Sequence, residues 1–524
     1  MMYRALIAFL LFALSAPAAA QADFSRQVVT SEGPASVSVT IYRNPNRRAA
    51  NDMNLRYLAG YALVTEQRTV DLPAGEIDLR FEGVAGGIIP QSAIVTGLPE
   101  NVLEKNRDAA LLSPSALLNG YLGQGVTIRR TSGATGEVQE FDAVIRTDAS
   151  GGMVMQTADG FEALQCTGLN EAIIYPAIPE GLSAKPTLSV RSRVTTPTRA
   201  TVTLSYLATG FDWQANYVAD ISDDGQRINL FSWLTLANGD ETSFADAQTQ
   251  TVAGQPNKGR DTIARASGGA VNLACWPEGT TSDIITRYEQ ERNRFGGPPP
   301  PPPPPVMAPM MEAAADSIMV TARKVMAQQG DLGDLKLYRI PVPVTVAAQS
   351  QKQVAFLEKE AIPFVQIYES EIWATDYQAS QPLAITLRFQ NRKRDQLGVP
   401  LPAGKLVAFR TVDGARMLLG EGSLDDKAID EEVEVTIGQS PLVRLQVDQL
   451  GQEEGKNNVR RDMKLTLSNA SETAARVEIK LGRSDEERIR KPNQKLGRKD
   501  GRDIWIVTLP PSSEQVLTYS VQGQ

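Results

Sequence analysis

The stretch from Leu204 to Gly254, LSYLATGFDWQANYVADISDDGQRINLFSWLTLANGDETSFADAQTQTVAG, constrains the fold of this chain more than any other. Side chains on a strand alternate between two faces. Ile228, Leu230, Ser232, Leu234 and Leu236 therefore share one face, and Asp223-Asp224-Gly225 joins their run to the preceding one as a hairpin. Thr209 and Gly210 read as a turn, after which Phe211, Trp213 and Tyr217 follow. Tyr206, Trp213, Tyr217 and Trp233 are the aromatic markers of this hairpin.

The same grammar extends in both directions and predicts an all-β, multidomain chain of β-sandwich units, with a small inserted barrel-like β-domain and a Pro-rich linker. Residues 21–110 form the N-terminal sandwich part, where Val37, Val39 and Ile41 alternate, as do Ile77, Leu79 and Phe81. Residues 111–178, with Gly-rich turns between short strands, form the barrel-like insert. Residues 179–256 hold the central unit, 257–334 the linker and 335–524 a C-terminal sandwich region. Leu72-Pro73-Ala74-Gly75 recurs as Leu401-Pro402-Ala403-Gly404, which reads as repeated hairpin chemistry.

Residues 1–20 read as a secretory signal peptide: Arg4 is the positive start, Ala5 to Ala16 the apolar stretch and Ala18-Ala19-Ala20 the cleavage site. An N-terminal membrane anchor is the competing reading. No later stretch has the length of a transmembrane helix, so a periplasmic or secreted location is expected. The net charge of −8 argues against nucleic acid as a partner. Cys166 and Cys275 are the only cysteines. In an oxidising compartment they read as one disulfide around the central hairpin, and otherwise as two buried thiols. The bridge would contribute about 4 to 5 kcal/mol in the chain-entropy description.

Histidine is absent from all 524 residues. This excludes a Ser-His-Asp triad, a Cys-His pair and every histidine-ligated metal site. Neither GxSxG nor a phosphate-binding GxxxxGK[ST] run occurs. The acidic turn around Asp220 to Gly225 has Phe231 where a calcium loop needs its closing glutamate. No cofactor or metal is predicted.

Within the linker, Pro298 to Pro305 is a run of eight prolines, a stiff rod of about 25 Å. Met307, Met310, Met311, Met319 and Met326 follow it, a composition that a disordered linker explains without copper ligation. Ile318, Met319, Val320, Thr321 and Ala322 resemble the TonB-box segments of energised outer-membrane receptors, extended peptides that dock by adding a strand to a partner's sheet. An ordinary strand or coil is the plainer account.

The segments YLATGFDWQANYVADI and WLTLANGDETSFADAQTQTVAG, with LPAGEIDLRFEGVAGGIIPQSA before them and LRFQNRKRDQLGVPLPAGKLVAFR and LLGEGSL after them, resemble the envelope proteins carrying domain of unknown function 4139. That family includes the mucoidy-inhibitor-A-like proteins. The resemblance implies an exported β-rich protein of unestablished activity, and no catalytic residue comes with it. The expected role is a binding or structural adaptor with an envelope protein or polysaccharide as partner. Trp373 and the basic tip from Arg488 to Lys499 are candidate contact points. The alternative is a carboxylate-dependent hydrolase of envelope glycans, with Asp212 and Asp220 as the acids flanking Trp213 and Tyr217.

Overall fold

The computed structural model describes residues 27–108, 111–131, 135–147, 153–163, 170–179, 182–254, 256, 326–455 and 459–523. Strand makes up 65% of it and helix 4%, so the class is all-β. Thr198–Ile221, a single strand of 24 residues, is its organiser. Its first half pairs antiparallel with Gly60–Leu72. Its second half pairs antiparallel with Arg227–Asn238 and parallel with Gly404–Val412.

The turn expected at Thr209-Gly210 is instead a bulge inside this strand. The register shifts between Thr209 and Phe211, and Gly210 takes φ +92°, a left-handed conformation that glycine adopts without a Cβ penalty. One inserted residue exchanges the faces. Before it, Val202, Leu204, Tyr206 and Ala208 are buried; after it, Phe211, Trp213, Ala215, Tyr217, Ala219 and Ile221 are. Even positions thus give way to odd ones, and one strand lines the same core along its whole length. The face running from Ile228 to Leu236 lies in that core as its alternation requires.

This first core draws on residues from Val37 to Ile437. The parts expected as separate units over 21–110, 179–256 and 335–524 share it. Ser36–Tyr42 pairs with Gly60–Leu72 on one side and runs parallel to Phe244–Ala253 on the other. Arg227–Asn238 pairs with the first half of Ser350–Trp373. A four-stranded sheet, ordered Gln27–Ser31, Gly75–Glu82, Thr187–Val194, Glu104–Asp108, adds Ile77, Leu79, Phe81, Leu188 and Val190 to the same core.

Between the last two of those sheet partners the chain leaves to build the insert. Helix Pro114–Gly120 starts where Ser113 Oγ accepts the Ala116 amide and proline occupies the first turn. Five antiparallel strands follow, with a small core of their own around Leu118, Ile128, Ile145 and Met155. Among the described residues the outer strands, Gly160–Ala163 and Asn170–Ile174, share no pairing, so this is an open sheet and not the expected barrel.

The two LPAG segments are not hairpins either. Gly60–Leu72 and Gly75–Glu82 belong to different sheets, and Gly404–Val412 pairs with the long strand and with Ala415–Leu424. Their glycines answer different needs. Gly75 has φ +118° with open space around it, while a Cβ on Gly404 would lie 2.0 Å from the Ala215 carbonyl oxygen.

A second core gathers Ile372, Leu383, Val443, Leu445, Val477, Trp505 and Leu517 among others. Three strands serve both cores. Ser350–Trp373 gives Phe356 and Phe364 to the first and Ile372 to the second. Gln378–Gln390 gives Phe389 to the first and Leu383 to the second, and Glu432–Glu454 divides likewise between Val433 to Ile437 and Val443 to Val447. The two cores are therefore joined by continuous strands. No helix among the described residues is long and apolar enough to cross a membrane.

Candidate functional site

Among the described residues, the strongly buried carboxylates around the first core are engaged by their own fold. Glu66 and Arg68 occupy core-facing positions of Gly60–Leu72, both at 0% exposure. Arg68 donates to Glu66 Oε2 at 2.6 and 2.9 Å and to the carbonyls of Ser31 and Glu82 at 2.8 Å. Tyr206 Oη donates to Glu66 at 2.7 Å and accepts the Ala85 amide. Burial first, and the Glu66 charge second, push the Tyr206 hydroxyl well above its ordinary pKa. Asp240 accepts the amides of Gly86, Gly87 and Thr242 at 2.7–2.9 Å. These groups hold loops and strands together and have no spare capacity for chemistry.

Asp212 belongs with them. It is 1% exposed and accepts the amides of Asn44 and Trp213 and the Arg47 guanidinium at 2.8–3.3 Å. Asp220 stands at the surface, bound by Arg416 at 2.8 and 3.0 Å. The two acids lie eight residues apart on a regular stretch of one strand, roughly 26 Å at the rise of extended chain. Glycosidase pairs stand within about 10 Å, so this pair cannot flank one bond. Tyr206, Trp213 and Tyr217 are buried, with Trp213 Nε1 donating to the Val252 carbonyl and Tyr217 Oη to that of Pro402. Trp233 lies on the opposite face of its strand, edge-on to Phe231. The aromatic markers are architectural. Asp223 to Gly225 form the predicted turn, closed by Ser222 and Arg227. Cys166, Cys275 and the segment Ile318 to Ala322 lie outside the described residues.

Two other sites emerge, one between the two cores and one beyond the second. At the joint between the cores, Arg388 grips Glu478 with two hydrogen bonds of 2.7 Å and reaches Glu434 at 2.6 Å. Lys499 bridges Glu434 and Glu432 at 2.7 and 2.9 Å. Burial opposes the Glu434 charge, but Lys499 and Arg388 outweigh it and draw its pKa down to about 2. Burial likewise opposes the Arg388 charge, and Glu478, Glu434 and Glu432 overcome it, holding the guanidinium above its ordinary range.

The end of the second core away from the joint carries an open cleft of about 280 Å³. Its floor is made where Ser350–Trp373 runs parallel to Ala475–Gly482, closed by the Ala374 amide on the Gly482 carbonyl at 2.7 Å. Trp373, 56% exposed, has its ring where a Cβ on Gly482 would meet it at 3.7 Å. Arg502 pairs with Glu371, Arg483 pairs with Asp503 at 3.2 Å, and Arg498 enters from the hairpin Gly497–Leu509. Of the candidate contact points, Trp373 and Arg498 line this cleft, whereas Arg488 bonds within its own loop to the carbonyls of Asp485 and Glu487. The rest of the lining comes from three segments that the parallel pairing and the antiparallel pairing of Ala475–Gly482 with Arg502–Leu509 bring together, for which the sequence offers no local signal. The buried Glu66 and Arg68 did have one, since they interrupt the apolar alternation of Ala62, Val64, Val70 and Leu72.

Among the described residues no three of His, Cys, Asp and Glu gather into a group that could hold a metal ion. The chain matches no model of a known protein family, and no curated protein matches it.

Proposed function

We propose that this chain is an exported, non-catalytic, β-rich protein of the bacterial cell envelope that acts as a binding or structural adaptor. The open cleft around Trp373 carries this reading: a large aromatic side chain exposed among ionic side chains at the free end of a sandwich is a recognition arrangement. The engagement of Asp212 by Arg47 and backbone amides, and its separation from Asp220, weigh against the hydrolase alternative. The leader-like run of residues 1–20 supports export to the periplasm or beyond. In this reading residues 1–20 are removed, Cys166 and Cys275 are bridged, and Ile318 to Ala322 form an accessory docking strand.

Affinity capture from cross-linked envelope tests the proposal. The mature chain is compared with a Trp373→Ala variant and with a chain lacking Pro298 to Lys324. The expected outcome is a defined envelope component retained by the intact chain and depleted in at least one of the other two. Retention of nothing by any of the three would overturn the adaptor reading.

A further inference from the structure

From the chemistry of the Trp373 cleft we infer that its ligand is an uncharged glycan chain, an inference that rests on the adaptor reading. The indole supplies a flat apolar surface that is 56% exposed and lies over Gly482, whose lack of a Cβ leaves it room. A pyranose ring presents one face of C–H groups to such a surface and keeps its hydroxyls at the rim. The rim matches that need. Arg483, Arg498 and Arg502 are balanced by Glu371, Asp376 and Asp485, so the lining carries no net charge. It offers planar donors beside carboxylate acceptors, the complement of vicinal hydroxyl groups.

That balance selects against the two other ligand classes. A polyanion needs an excess of cations, and here two of the three guanidiniums are already paired, Arg502 with Glu371 and Arg483 with Asp503. A protein partner needs a desolvated centre poor in charge, and ions surround this tryptophan. The apolar residues beneath it, Ile372 and Leu481, are buried in the second core and unavailable to a ligand. The volume is at the small end of ligand pockets and its open form admits a short piece of a long chain passing through.

The test is calorimetric titration of the mature full-length protein with chitohexaose and cellohexaose as uncharged probes and a guluronate oligomer as the charged one. At least one uncharged probe binds, the guluronate oligomer binds more weakly, and Trp373→Ala weakens binding by about tenfold or more. Trp373→Phe restores part of the loss. Because Trp373 is exposed, the alanine variant should melt with the parent, which separates loss of ligand from loss of fold. Failure of both uncharged probes, preference for the guluronate oligomer, or undiminished binding by Trp373→Ala would each overturn the inference. If no saccharide binds but envelope capture yields a protein whose retention needs Trp373, the glycan inference falls and the adaptor reading stands. If capture also returns nothing, both fall. Release of shortened oligosaccharides would replace the adaptor with a hydrolase.

Discussion

Around the first core a guanidinium and a carboxylate are sealed from water, Arg68 and Glu66 with Tyr206 closing the network. The region of the second core instead holds ions at its two ends: at the joint, where Glu478 is buried but Lys499, Glu432 and Glu434 reach solvent, and in the open cleft around Trp373. An enclosed pair is costly to desolvate and adds little net stability, but removing one member leaves an uncompensated charge. Such a pair holds one arrangement and excludes others. Ions at an end remain available for titration or for a ligand. Under the proposed adaptor reading, the larger core would serve as framework and the smaller one would carry recognition.

The largest expected effect comes from breaking the enclosed pair. Arg68→Met strands Glu66 in the core and should cost about 3–5 kcal/mol in urea unfolding. A loss no greater than that of an exposed pair would erase the distinction between the two regions. Next is Gly210→Val, which forces a β-branched residue into the bulge at φ +92°. It should cost about 1–3 kcal/mol, read by the same measurement, while leaving the Trp373 cleft competent. An equal loss at the cleft would show that the sandwiches do not divide their duties.

The smallest effect concerns the joint and sharpens the comparison through pH. The folded pKa of Glu434, about 2, lies below the ordinary 4.5 of the unfolded chain. Its contribution is therefore complete above pH 4.5 and is lost as the pH falls toward 2. Glu434→Gln should flatten this part of the stability profile, with its loss of stability felt at neutral pH, where the contribution is complete, and fading as the pH falls toward 2. An unaltered acid profile would remove the joint from the account.

Much of the framework was legible because alternation is local. Ile228 to Leu236, Val37 to Ile41 and Ile77 to Phe81 sit as their spacing demands. The parity change at Gly210 was also written in the sequence, since Leu204, Tyr206 and Ala208 are even and Phe211, Trp213 and Ala215 odd, but a glycine at such a point reads equally as a turn. The LPAG segments misled for a related reason. Four identical letters hide a left-handed glycine in one case and a close approach to a neighbouring strand in the other, and the second need exists only after folding. The cleft was partly visible in Trp373 and Arg498. Its balance of charge was not, because residues 371–376, 481–485 and 498–502 meet only through the pairing of distant strands.

The three strands that run through both cores have a mechanical consequence. A load applied at the Trp373 end of Ser350–Trp373 travels along one strand, through a bulge at Ala361, into the larger core. The ladder bonds to Arg227–Asn238 lie across that direction, so tension shears many of them together instead of peeling them one by one. Pulling at this end therefore loads the larger core before the strand can detach.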